Sequence, residues 1–596
     1  MLSEKPVAAT MPAVRVRLGF DASLGSRLSA GGLLSEALRQ AVSTALVELL
    51  GALGIPGQPE VEITRLAPDR PPGEPFMAVV VNGSVCPYPD DLLHSVRAYV
   101  TGVLPQPGVS LDQLLGWLHE LADPPSESTA RIPEPALEYL ALSCLEIIKL
   151  SPAVLLGAAQ AESFCASLPV PAGSQPAVWL PPAGWLLPIL RTVLGLRISL
   201  ADRQAIANVL GQMRGRAPDD VAEALVKALR PPVVRLQVER AYLKQLTLAD
   251  RGEPGAMFRV TRERLFRDLG MPYPEFHFAP VDGLKPGSFA FQINHLATPP
   301  FMGLQPDQCL VNDSVHSLRR LGVEAEPATN PATGLPAGVV AVGQRDTLTA
   351  AGLTPASQWD YLLLCFDVVL RRNAACLLDG QVAAGLLGKL ETDFRALVNT
   401  LHSLVSEEQV TRVLRALVAD ELSIKDLPLI LERLLDYDFA NGDATGPQPV
   451  DQGSGDDWAS HNPPLDNLDN VLASVRVGLR RCISDRYAHG SNSLDVYLLD
   501  PELETLLARV ASRPVMAAPP ADPLEDDEGA VILAAIRAEI GRLPPGVLPP
   551  VLLTALQFRP ALAGLVSGPW PRMPVLAYQE VSPEFRIQIV AKVSRR

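Results

Sequence analysis

The chain repeats itself. Val16-Arg17-Leu18 matches Val234-Arg235-Leu236, Leu53-Gly54-Ile55-Pro56 matches Leu269-Gly270-Met271-Pro272, and Val81-Asn82 matches Ile293-Asn294. Further on, Cys144-Leu145-Glu146-Ile147-Ile148 matches Cys365-Phe366-Asp367-Val368-Val369. Leu190-Arg191 then matches Leu414-Arg415, and Ser199-Leu200-Ala201-Asp202 matches Ser423-Ile424-Lys425-Asp426. These pairs keep one order at offsets of 212–224 residues, whereas chance matches in an Ala- and Leu-rich chain would scatter. Each copy opens on alternating apolar and polar residues, VRVRLGF at 14–20 and VVRLQVE at 233–239, the period of a half-buried strand. Helical periodicity follows in both. The region from 468 onward has no earlier counterpart; it mixes helices with short strands at 495–499, 550–553, 574–578 and 586–593, as a small α/β domain does. The expected fold is therefore α+β to α/β and multidomain: two tandem modules, each a mixed sheet plus a helical subdomain, and a C-terminal α/β domain.

The chain has 51 Lys and Arg against 66 Asp and Glu, a net charge of −15. That is the wrong sign for a protein that neutralises phosphates, so nucleic acid is not an expected partner. Seven Cys without a CxxC motif read as reduced thiols of a cytoplasmic protein. The apolar stretches 32–55, 140–159 and 177–198 are interrupted, respectively, by Glu36, Arg39 and Glu48; by Glu146 and Lys149; and by Pro181, Pro182, Pro188 and Arg191. A spanning helix needs about 20 nearly uncharged residues. None qualifies, and the N-terminus lacks the apolar run of a secretory signal. The expectation is a protein that stays soluble without detergent and meets the inner membrane only through partners. Between 436 and 469 the chain holds eight Asp and no Lys or Arg, which marks 438–467 as a solvated acidic linker.

Catalytic signatures are absent. There is no GxxxxGK[ST] loop, no GxGxxG after a strand and no HExxH. Asp313, Ser314 and His316 are triad residue types, but they lie too close together for that geometry. His277 and His295 fall in strand-like segments and read as sheet histidines. No catalytic, cofactor-binding or metal-binding residue is assigned. An enzyme remains the alternative only with a site assembled from distant residues, whose mark would be a pocket of perturbed titratable groups. Ser406-Glu407-Glu408-Gln409 is a capping box, and Ser423-x-x-Asp426 repeats the device before LPLILERLL. Two capped helices in series resemble a helix-turn-helix, yet the second is apolar and acidic and would repel DNA. One third of the 15 Phe residues lie within 276–301: Phe276, Phe278, Phe289, Phe291 and Phe301. Two readings stand. The cluster is core packing, or with Ile293 it is an apolar cleft that binds an amphipathic helix.

The run SEEQVTRVLRALVADELSIKDLPLILERL at 406–434 resembles a signature of the FHIPEP family, the export-gate proteins of flagellar and virulence type III secretion systems. The resemblance continues in order through RLFRDLGMPYPEFHF at 264–278, GLPAGVVAV at 334–342, LASVRVGLRRCISDRY at 472–487, VYLLDPELETLL at 496–507 and PVLAYQEVSPEFRIQIVA at 574–591. It covers about 233–596. It implies the family's cytosolic module, which is non-enzymatic, receives export chaperones and secreted cargo, contacts other export-apparatus proteins and forms a homo-oligomeric ring. On the family's plan the divisions are a tail at 1–13 and a divergent copy at 14–230. A first subdomain follows at 231–273 with 336–356, then an inserted one at 274–335 and a helical third at 357–437. The acidic linker and a fourth subdomain at 468–596 complete the chain. Two departures stand out: the divergent copy occupies the place of the membrane half, and a strand beside the family's chaperone groove, which usually ends IRDN, here reads HFAPVDG at 277–283.

Overall fold

The computed structural model describes residues 11–29, 33–66, 75–122, 134–170, 181–229, 233–249, 254–437, 468–488, 490–512, 528–543, 547 and 549–595. The acidic linker 438–467, most of the tail and the Pro231-Pro232 junction lie outside the described residues. The two copies fold alike. In the first, β1 (Ala13–Phe20), β2 (Gln58–Arg65), β3 (Met77–Val81) and β4 (Ser84–Val85) form a sheet in the order β2-β1-β3-β4. In the second, β5 (Val234–Glu239), β6 (Phe276–Val281), β7 (Ser288–Ile293) and β8 (Leu296–Ala297) take the order β6-β5-β7-β8. The first strand of each copy pairs parallel to the second and antiparallel to the third. The register agrees to the residue: Val16 faces Val81 and Val234 faces Ile293, the same positions that match in sequence. A one-residue slip would turn every apolar side chain out of the core, so this agreement is strong support for a common fold.

Matched polar residues make matched bonds. Asn82 and Asn294 both sit at positive φ, 50° and 54°, which Asn tolerates because its short amide bonds the local backbone. Each side-chain oxygen accepts from the residue that opens the strand pair, Arg15 N or Val233 N, both at 3.2 Å. Each amide nitrogen donates across to the helical part, to Val154 O at 2.9 Å and to Cys376 O at 3.0 Å. Gly54 and Gly270 end their helices at φ 67° and 77°, where a Cβ would stand 2.5 Å from Ala201 N and 2.6 Å from Lys425 N. Only glycine allows that approach. There the chain bonds Leu200 N to Leu53 O and Ile424 N to Leu269 O, both at 2.8 Å. Arg191 Nε reaches Leu156 O at 2.9 Å, and Arg415 Nε reaches Leu378 O at 3.0 Å. Cys144 and Cys365 are fully buried in both cores.

Ser406 caps its helix as the capping box requires, accepting from Gln409 N at 3.2 Å while Gln409 Oε1 accepts from Ser406 N at 2.9 Å. The next helix, Leu427–Leu435, is capped by Asp426 and not by Ser423, whose hydroxyl accepts from Lys425 N instead. Ser314 caps a short helix, and Asp313 accepts from Ser314 N and Ser317 Oγ, a local turn that occupies these triad-type residues.

The strands do not divide at 273/274 as the family plan suggested. β6 and β7 pair with β5, and β9 (Phe301–Met302) joins the same sheet through β7. The separate small sheet is β10 (Gln308–Val311), β11 (Glu326–Thr329) and β12 (Pro336–Ala341), in the order β10-β12-β11 around its own apolar cluster. Alternation shows that FHF and FAFQIN are strands, but not which sheet takes them. The C-terminal sheet runs β15 (Val575–Ala577), β14 (Val551–Thr554), β13 (Ser493–Leu499), β16 (Arg586–Val593), all pairs parallel. The first copy touches the rest of the chain through Lys285–Glu138 at 2.9 Å, Arg372–Asp91 at 2.8 Å and Arg537–Asp90 at 3.1 Å. Burial would raise the Asp91 carboxyl, but the Arg372 guanidinium holds it below its ordinary range. At Asp90 burial wins over Arg537, and the pKa is raised.

Candidate docking surface

The six residues expected at a partner surface separate into two groups. Phe289, Phe291 and Ile293 are fully buried, because alternate positions of β7 and the helix Gln358–Arg372 close over them. Phe291 stacks on Phe366 with centroids 5.0 Å apart and meets Phe301 edge-on at 5.8 Å. Their role is to hold the sheet. Phe276 and Phe301 are half-buried, and Phe278 is 37% exposed.

Phe276 and Phe278 lie on β6, an edge strand whose Pro280 has no N–H to offer a further strand. Phe278 rests on Phe258 at 5.2 Å and Trp359 at 6.1 Å, both edge-on. Phe276 meets Phe258 at 5.8 Å and Phe366 at 4.6 Å, also edge-on. Trp359 is fixed from behind by Nε1 donating to Leu246 O at 3.0 Å. The result is an aromatic shelf with one open ring, on a base of edge-to-face rings. Arg262 lies 5.9 Å over the Phe276 ring, whereas the cross-strand pair Arg235 and His277 belongs to the opposite face of the sheet. Phe258 and Trp359 were missed in the sequence because they lie on helices remote from the 276–301 cluster. His277 and His295 do not meet: His277 is on β6, whereas His295 is not a sheet residue but lies in the turn between β7 and β8, on the other side of β5, where its Nδ1 accepts from Ser199 N at 3.1 Å.

The family model described as the FHIPEP family matches residues 181–586. The chain belongs to that family. The match begins inside the first copy, ahead of the resemblance read from residue 233 onward. Among FHIPEP relatives, the Low calcium response locus protein D of Yersinia pestis is 26% identical over 65% of this chain and 50% of its own length. The flagellar biosynthesis protein FlhA of Treponema pallidum is 26% identical over 61% of this chain and 48% of its own. The chain thus spans about half the length of the curated relatives it matches. A solved structure of the Chlamydia pneumoniae CdsV and CdsO protein complex is similar at 25% identity, with a TM-score of 0.50 over 61% of this chain and 97% of the matched chain. Among the described residues, no helix is long and apolar enough to cross a membrane, and no group of three His, Cys, Asp or Glu could hold a metal ion.

A buried charge cluster of this FHIPEP chain lies where the C-terminal domain meets the second copy. Arg476 is 2% exposed and donates to both Glu580 oxygens, at 2.7 and 2.8 Å, and to Asp420 at 2.7 Å. Arg559 also pairs with Asp420. Burial works against the charge on Arg476, yet the Glu580 and Asp420 carboxylates outweigh it and raise its pKa. Every member is partnered, so the cluster is an assembly clamp between domains and not a reactive site.

Proposed function

We propose that this chain is a non-enzymatic docking and assembly component of a type III secretion-like export apparatus, cytoplasmic and held at the inner membrane by its partners. Its partners are export chaperones with their cargo and other export-apparatus proteins. The family match across the second copy and the C-terminal domain carries this reading. The aromatic shelf supports it: an open Phe278 on a Phe258–Trp359 base suits an apolar residue of an amphipathic helix, and anchors of this kind dominate binding energy. The CdsV and CdsO complex is a precedent for a similar protein engaging a second protein. The test is removal of the gene from a secreting strain that has no second family member. Secreted cargo should fall at least tenfold in the medium while general secretion is unchanged; export at the parental level would defeat the proposal.

A further inference from the structure

The two copies meet head to tail, and the contact is built from residues that the repeat itself lets us compare. The first copy contributes its last helix, Pro218–Leu229, and the turn 195–199. The second contributes the turn after β7 and the helix Glu407–Ala419. Glu223 forms a bidentate pair with Arg415, both nearly buried, and Asp219 one turn earlier pairs with Arg412. Asn294 Nδ2 donates to Leu196 O at 2.8 Å, and His295 N donates to Arg197 O at 3.0 Å. Leu296 is buried among the first copy's core side chains. The pattern is that of an acidic helix laid on an arginine-bearing face, with an apolar plug beside it.

The repeat shows why this contact occurs once. In the second copy the residue matching Arg197 is Glu421, also at positive φ. Its carbonyl is already taken by Arg486 of the C-terminal domain, which also pairs with the Glu421 carboxylate at 2.8 Å. That turn of the second copy is therefore covered by the C-terminal domain. On the first copy, the face matching the arginine-bearing one has lost its anchors. Gly83 stands where His295 would, Ser84 where Leu296 would and Pro188 where Arg412 would. Arg191, the counterpart of Arg415, remains but is exposed, with no acidic helix over it among the described residues.

We propose that the face carrying Arg412, Arg415, His295 and Leu296 is a docking surface for an acidic helix with carboxylates one turn apart, held shut by the chain's own first copy. Growth of a ring or stack through this contact then ends inside one polypeptide. The buried bidentate pair supplies selectivity for that occupant, since an unpaired charge left on either side is costly.

The test uses the full chain as wild type, Glu223→Arg, Arg415→Glu and the double swap, with a fluorescent synthetic peptide of residues 216–229 as probe. Hydrogen exchange at 195–199 and 294–297 reports whether the face is closed, and exchange in β5 and β7 reports whether the fold is intact. Expected are a closed wild type, at least tenfold faster exchange in each single variant and recovered protection in the swap. The peptide should bind Glu223→Arg at least tenfold tighter than wild type or Arg415→Glu. Single variants that stay closed, a swap that stays open with β5 and β7 protected, or an opened Glu223→Arg chain that ignores the peptide would each overturn the proposal.

Discussion

Phe291→Ala is expected to destabilise the second copy by about 3–5 kcal/mol, the usual cost of emptying a buried aromatic site. Phe291 is fully buried and has Phe289, Phe301 and Phe366 within 5.8 Å, so the cavity cannot collapse without moving β7 against its helix. Phe278→Ala should cost less, about 1–2 kcal/mol, because it is 37% exposed already and its supports remain packed on one another. Urea denaturation followed by circular dichroism compares the two. Similar losses at both positions would mean that Phe278 belongs to the core and that the shelf is not a surface.

The second large effect is at the domain clamp. Arg476→Met should lower stability by about 3–5 kcal/mol, since it leaves Glu580 buried without its cation. Glu580 is fully buried, and beyond Arg476 it accepts from Ala577 N at 3.2 Å, too little to carry a carboxylate charge. Arg476→Met combined with Glu580→Leu should recover most of that loss, because an apolar pair of similar volume leaves no unpaired charge. Thermal unfolding of the three chains at pH 7 measures this. If the double variant is as unstable as the single one, packing and not the unpaired carboxylate explains the loss.

Much of the fold can be read along the chain because the repeat fixes residue types at matched positions. Val16/Val234 and Val81/Ile293 already carry the sheet register, and Asn82/Asn294 and Gly54/Gly270 mark turns that only their residue types allow. What stays hidden is non-local. The pairing of β6 with β5 and not with the small sheet depends on contacts across some 40 residues, which alternation does not encode. Glu223 and Arg415 lie 192 residues apart, and each looks like an ordinary solvated helix charge until the copies dock. The aromatic cluster was legible as a cluster, but Phe residues two apart on β7 read the same in a core or a cleft. Only the placement of the helices bearing Phe258 and Trp359 distinguishes Phe278 from Phe291.

The docking role is tested most directly by calorimetric titration of an export chaperone loaded with its cargo into the full chain and into its Phe278→Ala variant. The account predicts saturable binding to the full chain and an affinity at least tenfold weaker for the variant, about 1.4 kcal/mol, with the variant still fully folded. Equal affinity for the two chains, or no binding to either, would contradict it.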